Sequence, residues 1–227
     1  QDYKNFKILF VDDASDYTAG QKNYIRKKLD KHVVVFNKTR KFSVYNGYQM
    51  IHDYTKNDDS VTLILDGDDW LIDKKALYYI SQIYKHSNAL LTYGECLIWN
   101  GKSYSDRPSR FIKPYTNIDY SQKIIKNKLY RREPFHVFHP MTFKNWLFKK
   151  IKEKDFKKDS TVWLKYEFDL ACFLPMLEMA NGRYKVIKKP LYAYNNSSPN
   201  INIKKNPFEF VREELIIRKK NPYESII

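Results

Sequence analysis

The sequence predicts an α/β fold, a mostly parallel central sheet flanked by helices, and three observations carry that prediction. Short apolar runs alternate with stretches of helical periodicity through the first hundred residues, the order that successive βα units produce. Two of the runs end in clustered aspartates, Asp12-Asp13 and Asp66-Gly67-Asp68-Asp69. At 227 residues and 43% hydrophobic content the chain suits one domain with a sizeable core.

Lys7 to Val11 is a short continuous apolar run, the pattern of a strand buried on both faces. Asp12 to Asp16 then reads as a loop, and helical spacing runs from about Thr18 to Lys31. Val33 to Phe36 gives a second strand, followed by a helical pattern from Arg40 to Tyr54. Val61 to Leu65 is a third strand, ending at Asp66. Ala76, Leu77, Ile80 and Ile83 then mark one face of a helix over Asp73 to Lys85. Ala89 to Leu97 completes this half as a strand.

The stretch from Asn100 to Arg132 is basic, tyrosine-rich and weakly periodic, which predicts loops and short elements suited to recognising a variable substrate. Phe143 to Ile151 reads as helical. Glu167 to Ala180 is a clearer helix, closed by Asn181-Gly182, with Pro175 as a local conflict inside it. After a loop over Asn195 to Asn200, a last helix has Asn206 as N-cap and Pro207 at its first position. Glu209 lies in its first turn and Arg218-Lys219-Lys220 in its last, and the helix is expected to pack across the outside of the domain. No internal repeat or domain boundary is visible.

Charge narrows the function classes. The formal net charge of +15 comes from 41 Lys and Arg against 26 Asp and Glu, yet only nine of the basic residues are Arg. Planar, bidentate phosphate recognition favours Arg, so the lysine excess reads first as a solvated surface, and nucleic-acid binding is not expected as the main activity. Cys96 and Cys172 have neither metal-site nor disulfide spacing. No apolar run approaches the ~20 residues that span a bilayer. A soluble, cytoplasmic protein is expected, with a peripheral membrane surface as the other setting that suits the lysines.

The three carboxylates of Asp66-Gly67-Asp68-Asp69 repel one another unless a cation or a set of donors lies between them. Trp70 and Leu71 follow at once, so this turn re-enters an apolar environment instead of projecting into solvent. A D-x-D pair at a strand end can hold Mg²⁺ or Mn²⁺ through one or two carboxylates while diphosphate oxygens complete the shell. In open sheets ligands sit outside the carboxyl ends of the strands, where Asp12 and Asp13 would share the crevice. His136 and His139 lack a paired acid nearby in sequence and read as partly buried structural residues. No P-loop, G-x-G-x-x-G or G-x-S-x-G occurs.

The series Phe6-Lys-Ile-Leu-Phe-Val-Asp-Asp-Ala-Ser15, Leu65-Asp-Gly-Asp-Asp-Trp-Leu71, Asp169-Leu-Ala-Cys-Phe-Leu-Pro-Met-Leu-Glu-Met-Ala180 and Pro190-Leu-Tyr-Ala-Tyr-Asn195 resembles a family 2 glycosyltransferase with the GT-A fold. The resemblance implies a nucleotide-sugar donor, UDP by preference, a divalent Mn²⁺ or Mg²⁺, and transfer with inversion to an unidentified glycan, protein or lipid-linked acceptor. It implies a single domain over 1–227: a nucleotide-binding half over 1–99, an acceptor and catalytic half over 100–195, and a C-terminal linker and helix over 196–227. Asp12 and Asp13 would contact the base or ribose, Arg40 the nucleotide, Asp66 the ribose, and Asp68 the metal. Asp169 would be the general base, with Glu167 as runner-up because Phe168 stands where many relatives have Glu. Relatives also begin with a further strand and helix, so residues upstream of Gln1, or another segment in that place, are expected.

Two other readings remain open at this level. Strand-end acids around Mg²⁺ would also suit a nuclease or phosphohydrolase. A basic, non-catalytic module for polyanions would instead bind with strong salt dependence and be indifferent to loss of Asp68.

Overall fold

The computed structural model describes residues 1–105, 114–197 and 206–226. Strand β1 (Leu9–Asp12), helix α1 (Ala19–Lys28) and strand β2 (Val33–Phe36) form a first βαβ unit, with β1 and β2 parallel and Leu9 opposite Val33. Thr18 closes a capping box with Gln21 at the start of α1. No residue of α1 is buried and the strands are half-buried, so the expectation of a strand buried on both faces fails for β1 except at Asp12.

Helix α2 (Phe42–Tyr54) returns the chain to β3 (Val61–Ile64), and the short β4 (Trp70–Leu71) precedes α3 (Ala76–His86). Then come β5 (Leu91–Trp99), the short α4 (Gln122–Lys126), β6 (Met141–Lys144) and α5 (Asn145–Lys149). The long α6 (Phe168–Ala180), β7 (Tyr184–Asn195) and α7 (Pro207–Lys219) complete the order. The predicted βα order is therefore present, but the sheet direction is corrected. Among the described residues there are two sheets, β1-β2 and the five-stranded β3-β6-β5-β7-β4, and the second is mixed. Only β5 and β7 run parallel in it; β3–β6, β5–β6 and β4–β7 are antiparallel.

The correction has a local cause. Met141 to Lys144, whose second half had read as the start of a helix over Phe143 to Ile151, forms a strand instead and enters between β3 and β5. Met141, Thr142 and Phe143 are buried together, so this strand shows none of the alternation that would have marked it. The helix keeps only Asn145–Lys149.

β5 and β7 approach closely because Gly94 has no side chain: a Cβ there would lie 2.5 Å from Ile187 Cβ and 2.7 Å from its carbonyl oxygen. Helix α6 is the centre of the core. Nearly every residue from Phe168 to Ala180 is buried, and the helix runs through Pro175 to Asn181, whose left-handed backbone (φ 48°) ends it. A second, smaller cluster of Ala76, Ile80, Ile187 and Leu191 seats α3 on the sheet.

Helix α7 packs on this core through Ile216 and Ile217, but Asn206 makes no side-chain cap bond. Its buried Glu213 instead accepts from the backbone N–H of Lys165 and Tyr166, both at 2.8 Å. The approach to α6 is thus held by an acid from another helix. Arg131 and Glu178 add a buried bidentate pair, 2.6 and 2.9 Å, between the turn at Leu129–Arg132 and α6.

Candidate active site

The acid turn after β3 is shaped by β7. Asp69 accepts from the Tyr192 hydroxyl and the Asn195 N–H, both at 2.7 Å, while the same hydroxyl accepts from the Asp66 N–H at 3.2 Å. Tyr192 is fully buried. One phenol therefore fixes both ends of the four-residue turn, and Trp70–Leu71 can leave it directly as β4 against β7.

His139 stacks on Tyr192 with ring centroids 4.5 Å apart, and its Nε2 lies 3.8 Å from Asp66 Oδ2. Asp66, Asp69 and His139 each offer a ligand atom within 4.8 Å of the others. The sequence reading had left His139 without an acid partner; the fold supplies two, from a turn some seventy positions away. Asp68 is exposed on that turn and lies outside the group.

Asp66 is 55% exposed at the side chain, with Asp69 and His139 beside it. Withdrawal from solvent, with Asp69 and Asp68 adding like charge, pushes its carboxyl up to about 6. Asp69 is raised as well, by burial first, although the bonds from Asn195 and Tyr192 oppose the rise. This donor set, two crowded carboxylates and an imidazole, suits a divalent cation such as Mn²⁺ or Mg²⁺, whose charge would relieve the repulsion.

Asp169, in the first turn of α6, completes the constellation. Burial raises its carboxyl to about 7, with the charge of Asp66 as the second cause, so the two acids are near enough to interact. Glu167 is raised further, to about 8, by burial and then by Glu214, Asp169 and Glu213. Gly47 of α2 sets the height of this helix end: a Cβ there would lie 2.5 Å from the Phe168 ring. The Ser43 hydroxyl also donates to the Lys165 carbonyl at 3.0 Å.

The remaining predicted residues form a second cluster at the start of α2. Asp13 accepts from the N–H groups of Lys41 (2.7 Å) and Phe42 (2.9 Å) and from Asn37 Nδ2 (3.1 Å). It serves as the cap that α2 otherwise lacks. Burial pushes its carboxyl up, but these bonds and one to Asn46 prevail and hold it below the usual range. Arg40 Nε lies 3.7 Å from Asp13 Oδ2 and is half exposed. Asp12 is buried and accepts from the Ser15 N–H at 3.2 Å. The fold thus brings Asp66, Asp69 and His139 together, with Asp169 near enough to interact with Asp66, while Asp13 and Arg40, beside Asp12, are grouped separately at the start of α2.

Sequence reasoning missed His139, Tyr192 and Asn195 and gave Asp69 no role of its own. Tyr192 and Asn195 lie inside the quoted Pro190–Asn195 stretch, which was the one signal available for them.

The Glycosyl transferase family 2 model matches residues 1–155. No curated protein matches the sequence. Among solved structures, S. aureus TarS 1–349 aligns with a TM-score of 0.60 at 18% identity, covering 95% of this chain and 57% of that one. Its complex with UDP-GlcNAc aligns at 0.57 and 17% identity, covering 99% and 61%. The complex with UDP aligns at 0.57 and 16%, covering 96% and 57%. The chain therefore spans about 60% of these neighbours, which share its fold.

Proposed function

The chain belongs to glycosyl transferase family 2, and from that premise we propose that it transfers a sugar, with inversion, from a nucleotide-diphosphate donor to an acceptor hydroxyl. The observation that carries the proposal is the meeting of the Asp66–Asp69–His139 group with Asp169 at the start of α6. Inverting displacement needs such a pair of functions: charge stabilisation for the leaving diphosphate and one carboxylate for the incoming hydroxyl. The neighbours solved with UDP and UDP-GlcNAc favour a UDP-sugar.

Asp66, Asp69 and His139, with Asp68 exposed on the same turn, are the residues that would hold Mn²⁺ or Mg²⁺. A bound cation supplies Lewis-acid stabilisation of the negative charge that gathers on the diphosphate. Asp66, half exposed, would also accept from a ribose hydroxyl. Asp12, Asp13 and Arg40 would line the nucleotide end, with Asp13 shaping the start of α2 while Arg40 remains half exposed. Asp169 takes the proton of the acceptor hydroxyl. The acceptor oxygen bonds to the anomeric carbon as the carbon–oxygen bond to the diphosphate breaks, its electron pair leaving on the nucleotide. A carboxyl poised at about 7 is matched to that task.

The testing experiment is a thermal-shift panel of UDP, GDP and their sugars with Mn²⁺, Mg²⁺ or EDTA. A ligand at a hundred times its Kd adds ~2.7 kcal/mol of stability. A shift for uridine nucleotides that EDTA removes is the expected result. Uniform indifference to every nucleotide in both metals would overturn the proposal.

A further inference from the structure

A cleft of about 530 Å³ opens at the start of α6. Glu167 and Leu170, which flank Asp169 in the chain, line it together with Phe138, next to His139. Tyr115, Phe135 and Phe210 supply aromatic surface, and Glu214 and Arg218 of α7 close the end. The cleft therefore borders the chain segments that carry the proposed base and His139.

Its chemistry contrasts with the rest of the molecule. The chain carries a net charge of +15, yet among the described residues no lysine lines this cleft and its one arginine is committed elsewhere. Arg218 donates to Glu214 at 2.7 Å and to the carbonyls of Arg131 and Glu133 at 3.0 and 2.9 Å. Among the described residues that leaves Glu167, rings with apolar faces, and no surplus positive charge. A phosphate or carboxylate in this place would meet the Glu214 carboxylate and, among the described residues, gain no uncommitted cationic partner. An ammonium group would face the fixed Arg218–Glu214 pair beside a Glu167 that burial keeps largely protonated at neutral pH. Hydroxyls on a ring or chain with apolar C–H faces fit both features: the C–H faces pack on aromatic rings, and the carboxyl of Glu167 can donate and accept.

We propose that this cleft is the acceptor site and that it takes an uncharged, hydroxyl-rich carbohydrate, with Glu167 as a positioning residue and Tyr115 as part of its stacking surface. This rests on the transferase reading and deepens it, since that reading left the class of acceptor open. No bond to the sugar forms or breaks here beyond the transfer already described.

The test uses saturation-transfer NMR and competition titrations on the full chain with methyl β-glucoside, methyl β-galactoside and N-acetylglucosamine as neutral probes. Glucuronic acid and glucosamine serve as charged ones, and each titration is run with UDP and Mn²⁺ present. Tyr115 is 53% exposed, so Tyr115→Ala is expected to fold. The expected result is binding of at least one neutral probe, weakened about fivefold or more by Tyr115→Ala and by Glu167→Ala, with Glu167→Gln restoring it. The thermal shift from UDP should be kept in all three variants, which checks folding and isolates the acceptor side. Preference for glucuronic acid or glucosamine, or equal binding of neutral probes to wild type and variants, would overturn the assignment. So would no neutral binding up to tens of millimolar while UDP still shifts the melting point. If UDP fails as well, the transferase premise falls and takes this inference with it.

Discussion

Replacing Arg131 by Met should destabilise the protein by several kcal/mol, and the structure allows the size to be worked out. Arg131 and Glu178 are 6% and 0% exposed at the side chain. Arg131 donates twice to Glu178 and once, at 2.6 Å, to the Ile217 carbonyl, while the Tyr223 N–H donates to Glu178 at 2.9 Å. The pair therefore ties the 129–132 turn, α6, α7 and the C-terminal segment together. Arg131→Met leaves a buried carboxylate with the Tyr223 bond alone, a loss of about 3–5 kcal/mol. At ~2–4 °C per kcal/mol for a chain of this size, the melting temperature should fall by roughly 10 °C. The double variant Arg131→Met/Glu178→Met removes the stranded charge and should recover most of the loss.

A pH signature separates this mechanism from simple loss of packing. Burial raises the Glu178 carboxyl in the folded protein even with Arg131 present, and removing Arg131 raises it further. A folded carboxyl above its unfolded value favours the folded state below the unfolded pKa, and that contribution is lost as pH rises through the folded one. The single variant should therefore be least destabilised near pH 5 and most destabilised near pH 8, measured by urea denaturation across that range. A cost under about 1 kcal/mol, or one independent of pH, would refute the argument.

Other outcomes follow from the site. Asp68→Asn should weaken the metal-dependent shift from donor nucleotides, because Asp68 lies on the turn but outside the Asp66–Asp69–His139 group. Asp169→Asn should keep that shift yet lower transfer by ~10²–10⁴, as read by release of UDP in the presence of acceptor. The transfer rate should fall on acidification with a midpoint no higher than about 7, because Asp169 must be ionised and a cation beside Asp66 removes one cause of its elevation; a midpoint above 8 in a pH–rate profile would count against Asp169. Gly94→Ala should cost ~1–3 kcal/mol by forcing β5 from β7, visible in thermal melts without change in UDP affinity per folded molecule.

The division between what was legible in the sequence and what was not follows the range of the interactions. Apolar runs, helical spacing and turn chemistry act over a few residues, so the βα order, the ends of α6 and α7, and the acid turn after β3 could all be read from the chain. The same local physics placed Asp12, Asp66 and Asp68 at or just beyond strand ends and Asp169 in a first helical turn. Direction and pairing are non-local. β6 is buried on both sides and carries no alternation, so its antiparallel entry between β3 and β5 had no local signature. The split of the strands into two sheets was equally silent.

The site obeys the same rule. Asp69 depends on partners 123 and 126 positions away, and His139 acquires its acids only when β6 aligns beside β3. Asp13 was expected at the nucleotide on the strength of the family resemblance; its bonds to the start of α2 appear only once that helix returns to it. The sequence by itself determined the fold class, the family and the set of carboxylates available for chemistry. Only the tertiary structure decided which carboxylates meet, which are occupied with holding the fold, and which carboxyl groups burial keeps near neutrality, because burial and like-charge crowding arise only when distant segments share one crevice.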